Sequence, residues 1–321
     1  MLIRPNDPFI RYTGRWYITE TDAYSTANGN YLEFCFEGNT AVIHYDIDNC
    51  VSPFPHVYVR VDNGAFIETV IDKYLRISVE QGAHKVQIIL KSSYEYQNRW
   101  TEPIEAKVDI IGIEAESFLP LEKDDRPTIE FIGDSITEGT LVDPQYKYHN
   151  DRRDLVYMND SIAGYAWQTA KMLNMRLITM GYGSLGSTKG GSGGVPPVEE
   201  SYPFFCENLP MPSANADIIV INHGTNDHHS DNETFKKAYG SFLRSVRERN
   251  KKSIIICIAP FIGWFTQEVG EVVASHNEKY NDSVHYVDTT GWISPDPMHP
   301  LRDACVNIAK RLAKIIDDVY R

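Results

Sequence analysis

Between Leu121 and Pro127 the hydrophobic pattern of this chain changes period, and that change constrains its fold more than any other feature. From Phe9 to about Ser117 the segments RWYI, NYLEFCF, TAVIHYDI, HVYVRV, AFIETVI, LRISV, KVQIILK and VDIIGI read as short strands. Many alternate apolar and polar residues, and no helical repeat joins them. In Val57-Tyr58-Val59-Arg60-Val61 the alternation runs into Asp62-Asn63-Gly64, a turn whose residues tolerate positive φ, so a hairpin is expected there. An antiparallel sandwich follows, with a jelly roll as the expected version. Beyond Pro127 the runs TIEFIG, MRLITMG, ADIIVINHG, SIIICIAP and VHYVD are almost continuously apolar and alternate with segments such as AGYAWQTAKML and ETFKKAYGSFLRSVRER. Strands covered on both faces and joined by helices predict a parallel, three-layer α/β unit. In the last segment Leu301, Ala304, Cys305, Ile308, Leu312, Ile315 and Val319 share one helical face, as expected of a closing helix. The expected division is a β-sandwich over residues 1–122 and an α/β unit over 123–321.

The 321 residues include 44 acidic and 31 basic side chains, a net charge of −13. A surface of that sign repels phosphate backbones and anionic headgroups, so neither nucleic acid nor membrane is an expected partner. The five cysteines, Cys35, Cys50, Cys206, Cys257 and Cys305, are scattered without metal-ligand spacing, which suits free thiols in a reducing compartment. No apolar leader core and no membrane-spanning run appears, so a cytoplasmic location is expected.

Ligands of open α/β sheets bind beyond the carboxyl ends of the strands, and three such ends carry chemistry. In FIGDSITEGT, Gly133 permits a sharp turn and Ser135 falls at a helix start, where unpaired amides favour a developing negative charge. In INHGTND, Asn226 follows a buried strand and offers a neutral N–H donor to an oxyanion. In SPDPMHP, Asp296 and His299 lie three apart in a proline-stiffened loop, so the carboxylate is placed to fold back onto the imidazole. Singly, each block reads equally as a capping serine, a turn asparagine or a solvated loop. Their order along the chain joins them.

Gly133-Asp134-Ser135, Gly224-Thr225-Asn226-Asp227 and Asp296-Pro297-Met298-His299 resemble the nucleophile, asparagine and Asp-x-x-His blocks of the SGNH, or GDSL, hydrolase superfamily, over Thr128 to Arg321. The resemblance implies a flavodoxin-like sheet and a serine esterase needing no cofactor, with Ser135 as nucleophile, His299 as base and Asp296 as its orienter. It also implies an oxyanion hole of the Ser135 amide, the Asn226 side chain and an amide from the block MGYGSLGST, where the preferred register selects Ser184 between Gly183 and Gly186. A sandwich ahead of such a domain is similar to the family-two carbohydrate esterases, which implies an acetylated oligo- or polysaccharide as the small-molecule partner. An acyltransferase, a lipid or thioester hydrolase, and a sugar-binding protein with an inactive α/β half are the alternatives.

Gly181-x-Gly183-x-x-Gly186 also spells a dinucleotide fingerprint, but the following STKGGSGGVPPVEE denies it a helix. Asp227-His228-His229-Ser230-Asp231 is better explained by a Ser230/Glu233 capping box than by a metal, so no metal site is expected. Candidate substrate contacts are Tyr146, Tyr157, Trp264 and His228, whose rings suit a sugar face and equally suit ordinary loop packing. The β-sandwich is expected to wall one side of the cleft.

Overall fold

A computed structural model describes residues 1–143, 155–294 and 296–320. The first part is the expected antiparallel sandwich, nine strands in one hydrogen-bonded network. Its path runs Tyr17–Ile18, Ala23–Ser25, Val108–Leu119, Tyr31–Tyr45, Tyr74–Ser92, His56–Val61 and Ile67–Val70, with Leu2–Ile3 and Ile10–Thr13 alongside. The segments NYLEFCF and TAVIHYDI, expected as two strands, form one of 15 residues, and LRISV and KVQIILK form one of 19. The two long strands pair through a register shift between Gly38 and Thr40, with Gly38 at φ +137°, so the turn residues there bend the strands instead of ending them. The expected hairpin is present, with a Gly64 N–H bond to Val61 O and Val59 opposite Ile67. Alternate residues of the long strands, including Leu32, Phe34, Phe36, Val86 and Ile88, build the sandwich core.

The second part is a five-stranded parallel sheet in the order Arg176–Gly181, Thr128–Gly133, Ile218–Asn222, Ile254–Ile258, His285–Val287. The chain starts in the second position and moves outward both ways, so the switch point lies at the end of Thr128–Gly133. Every residue of that strand is buried, Glu130 included, as expected of a central strand covered on both faces. Ile132, Ile219 and Ile221 face helices Asn232–Arg249 and Thr266–Tyr280, whereas Ile129, Phe131 and Val220 face Tyr165–Met172 and Arg302–Tyr320. The closing helix buries Cys305, Ile308, Leu312 and Ile316. No helix among the described residues is long and apolar enough to cross a membrane.

The two parts meet through buried polar contacts. Arg15 donates to the Tyr202 and Phe204 carbonyls at 2.9 and 2.7 Å. Lys91 donates to the Val156, Tyr157 and Asn159 carbonyls, and the Thr26 and Tyr182 hydroxyls lie 2.8 Å apart. Each of these groups is desolvated by the contact and loses its partner if the parts separate, so the junction is specific as well as close.

Candidate active site

Gly133, Gly181 and Asn222 lie level in neighbouring strands, so three chain exits converge at the switch point. Gly133 is required there by space: a Cβ would sit 2.1 Å from Thr137 Oγ1 and 2.9 Å from Asn222 O. Asp134 then caps a single helical turn, Ser135–Glu138, by accepting the Ile136 N–H at 2.9 Å. Ser135 is the first residue of that turn and only 7% exposed. Burial pushes the Asp134 carboxyl up to about 7, against the stabilising Ile136 N–H.

His299 arrives from the loop before the closing helix, and its Nε2 stands 2.9 Å from Ser135 Oγ, a hydrogen bond across 164 positions of sequence. Burial holds its pKa below the ordinary 6.5, so the imidazole is neutral at pH 7 and free to accept the serine proton. The loop is tied down by Arg302, which bonds Asp160 at 2.7 Å and also Asp143, while Asp160 accepts the Tyr58 hydroxyl of the sandwich at 2.9 Å. The fold-back of Asp296 that the Asp-x-x-His spacing suggests is not present among the described residues. Asp296 is exposed, Ser294 Oγ closes a turn onto its carbonyl at 2.9 Å, and burial alone accounts for the shift at His299.

On the other side, Gly224 turns the chain at φ +131°, where a Cβ would meet Pro260 Cγ at 2.6 Å, and Asn226 follows in a short 3-10 turn. One Asn226 Nδ2 hydrogen donates to Leu185 O at 3.0 Å, which fixes the carboxamide and leaves the second hydrogen without a partner among the described residues. The loop it touches holds residues 183–186, from which the resemblance draws an oxyanion amide. The Leu185 N–H bonds Tyr182 O at 3.2 Å and the Gly186 N–H bonds Lys189 O at 2.9 Å. Among the described residues no acceptor is found for either the Gly183 or the Ser184 N–H, and Ser184 sits at φ +59°. Removing one pre-oriented oxyanion donor costs about 10²- to 10³-fold in kcat. Asn226→Ala is therefore expected to lower kcat by that order with little change in KM, as initial rates on 4-nitrophenyl acetate would read.

Two buried carboxylates at the site have partners that sequence reasoning did not find. The buried Asp227 carboxylate accepts the Ser187 and Thr188 N–H groups at 3.0 and 2.7 Å and so anchors the glycine-rich loop. Glu138, fully buried, pairs with Arg99 of the sandwich. Both contacts join residues about 40 apart, with only the adjacent Asn226 as a pointer to Asp227. The helix Asn232–Arg249 is capped by Asp231, which accepts the Thr234 N–H at 2.9 Å, and the expected cap Ser230 instead meets the Thr188 hydroxyl at 2.7 Å.

Of the four candidate substrate contacts, His228 and Trp264 come together, their rings 4.5 Å apart, with His228 Nδ1 3.2 Å from Thr225 O. Trp264 is 39% exposed, so the pair presents an aromatic surface that starts two positions after Asn226 in the chain. Tyr157 is exposed and its ring stands edge-on to His56 of the sandwich at 4.6 Å. Tyr146 lies outside the described residues. Cys257 is buried within its strand, and burial pushes its thiol up to about 12, which leaves it inert.

Residues 131–317 match the model of the GDSL-like Lipase/Acylhydrolase family. Among solved structures, a family-two carbohydrate esterase from Cellvibrio japonicus superposes with a TM-score of 0.82 at 19% identity, over 100% of this chain and 98% of that one. An acetyl xylan esterase from the rumen bacterium Butyrivibrio proteoclasticus gives 0.80 at 19% identity, over 99% and 98%. A family-two carbohydrate esterase from Clostridium thermocellum, in complex with cellohexaose, gives 0.78 at 20% identity, over 97% and 98%. No curated protein matches the chain. At these identities the superpositions establish a shared two-part fold.

Proposed function

The chain belongs to the GDSL-like lipase/acylhydrolase family of carboxylic ester hydrolases, and we propose that it removes O-acetyl groups from carbohydrate through an acyl-enzyme on Ser135. The observation that carries the reading is the 2.9 Å contact between Ser135 Oγ and His299 Nε2. In acylation Ser135 Oγ attacks the ester carbonyl while His299 takes its proton, and the carbonyl oxygen gains negative charge. The Ser135 and Ser184 amides and the free Asn226 hydrogen stabilise that charge. His299 then returns the proton to the departing sugar hydroxyl. Water, deprotonated by the same imidazole, attacks the acetyl-serine, and collapse of the second intermediate releases acetate and restores the Ser135 hydroxyl.

The carbohydrate assignment rests on the names borne by the superposed esterases and on the Trp264–His228 platform. Burying the C–H face of one sugar ring on Trp264 is worth about 1–2 kcal/mol, or roughly tenfold in affinity. Trp264→Ala is expected to raise KM for an acetylated oligosaccharide by that factor while kcat, and KM for 4-nitrophenyl acetate, stay put. The deciding experiment compares acetylated xylo- and cello-oligosaccharides with 4-nitrophenyl acetate and octanoate. A kcat/KM for octanoate well above that for acetate would replace the deacetylase reading with that of a lipid esterase.

A further inference from the structure

We propose that Asp160 is a positioning residue for catalysis: through Arg302 it holds the loop of His299 against the turn that carries Ser135, and so sets where the base meets the nucleophile. The proposal rests on the esterase reading above and gives a carboxylate outside the Asp-x-x-His block the task of placing the imidazole.

Ser135 and His299 lie on segments 164 positions apart, joined by one hydrogen bond. A single bond between neutral groups is weak against the entropy of ordering a loop, so the loop must be fixed elsewhere. Asp296, being exposed, does not fix it. Asp160 touches both sides. Its backbone N–H donates to Gly139 O at 2.9 Å, at the C-terminal cap of the Ser135–Glu138 turn. A Cβ on Gly139 would lie 2.6 Å from Asp160 O, and glycine at φ +84° is what lets the two backbones meet. The adjacent Asn159 accepts the Leu141 N–H at 2.9 Å through its Oδ1 and secures the same exit from the turn.

On the other side, Arg302 opens the closing helix three positions after His299 and donates from Nη2 to Asp160 Oδ2 at 2.7 Å. The Asp160 carboxylate is 1% exposed, and Oδ2 also accepts the Tyr58 hydroxyl at 2.9 Å. Oδ1 accepts the Ile162 and Ala163 N–H groups at 3.0 and 3.2 Å. A buried charge with donors on both oxygens is a rigid anchor, because movement would leave one of them unpaired. From the sandwich, Lys91 Nζ donates to Asn159 O at 2.8 Å and holds the same segment. The rival account is that packing of the closing helix suffices, since the Cys305 thiol of that helix reaches Pro300 O at 3.3 Å, next to His299.

Removing the tether while leaving the helix separates the two accounts. Arg302 is half-exposed, so Arg302→Met opens no cavity in the core. On 4-nitrophenyl acetate, with kcat counted per phosphonate-titrated site, this variant is expected to lose about tenfold to 10²-fold in kcat at a nearly constant KM, since about 1 Å of misplacement can cost that much. A smaller loss would leave helix packing sufficient and overturn the proposal. Asp160→Asn keeps acceptors for the Tyr58 hydroxyl and the two amides but removes the charge that holds Arg302. It is expected to lose as much as Arg302→Met, and the double variant no more than either, whereas additive losses would overturn the coupling. Should Asp160→Asn not fold, Arg302→Met in a His299→Ala background decides. The loss should vanish there, because Arg302 acts through the imidazole, and the same loss in that background would mark a general structural role and overturn the assignment. Absence of esterase activity in the native protein would instead fail the functional reading. The ring-nitrogen NMR resonances of His299 then judge the tether directly: a change on Arg302→Met supports it, and identical resonances overturn it.

Discussion

Ser135→Ala is expected to lower kcat on 4-nitrophenyl acetate by about 10⁴- to 10⁶-fold, the largest effect of any single substitution in this chain. The hydroxyl is the atom that bonds to the acyl carbon, and burial pushes the thiols of Cys257 and Cys305 up to about 12, so neither competes as a thiolate. Residual catalysis from the oxyanion donors persists, because the Ser184 amide and Asn226 are untouched. KM should change little. Folding should be nearly unaffected: the one hydrogen bond lost is that to His299, and the Asp134 cap and the Thr140 N–H bond to Ser135 O at 2.9 Å do not use the side chain. Phosphonate labelling followed by intact mass checks the same atom, with one adduct per native chain and none on the variant. Labelling of the variant at the native rate would place the nucleophile elsewhere.

How much of this was legible in the sequence follows from the range of each interaction. The change of period near Pro127 was visible because it reports burial geometry residue by residue, and the parallel sheet with its four flanking helices follows from it. Ser135, Asn226 and His299 were visible because each adjoins the end of a strand or the start of a helix, where the chain direction is already fixed. The fusion of strands across Glu37-Gly38-Asn39 was not visible. Glycine and asparagine mark a turn or a bulge alike, and only pairing with Gly82 and Ser78 on the neighbouring strand selects the bulge. Nothing in the stretch FIGDSITEGT marks Glu138 as buried. What buries it is Arg99, 39 positions earlier, and no periodicity links those two. The Asp-x-x-His spacing shows the opposite failure: it puts two side chains within reach locally, yet the loop presents Asp296 to water and His299 to Ser135.

That last division of labour sets the second large effect. His299→Ala is expected to lower kcat by about 10⁴-fold or more, because the base is lost and no other imidazole is recorded against Ser135 Oγ. A buried triad aspartate costs about as much when it is neutralised. Asp296 is exposed, however, and two unit charges 4 Å apart in water interact by only about 1 kcal/mol, so Asp296→Asn is expected to cost roughly tenfold or less. The pH profile tests the same asymmetry. Burial lowers the His299 pKa, and only the neutral ring accepts a proton, so kcat/KM should rise through one step with its midpoint below 6.5 and stay flat across neutral pH. A carboxylate bonded to the imidazolium would favour the charged form and move that midpoint upward. A midpoint above 6.5 that falls in Asp296→Asn, together with a loss of about 10³-fold or more in kcat, would mean that the carboxylate swings in during turnover and that the pair observed here works as a triad.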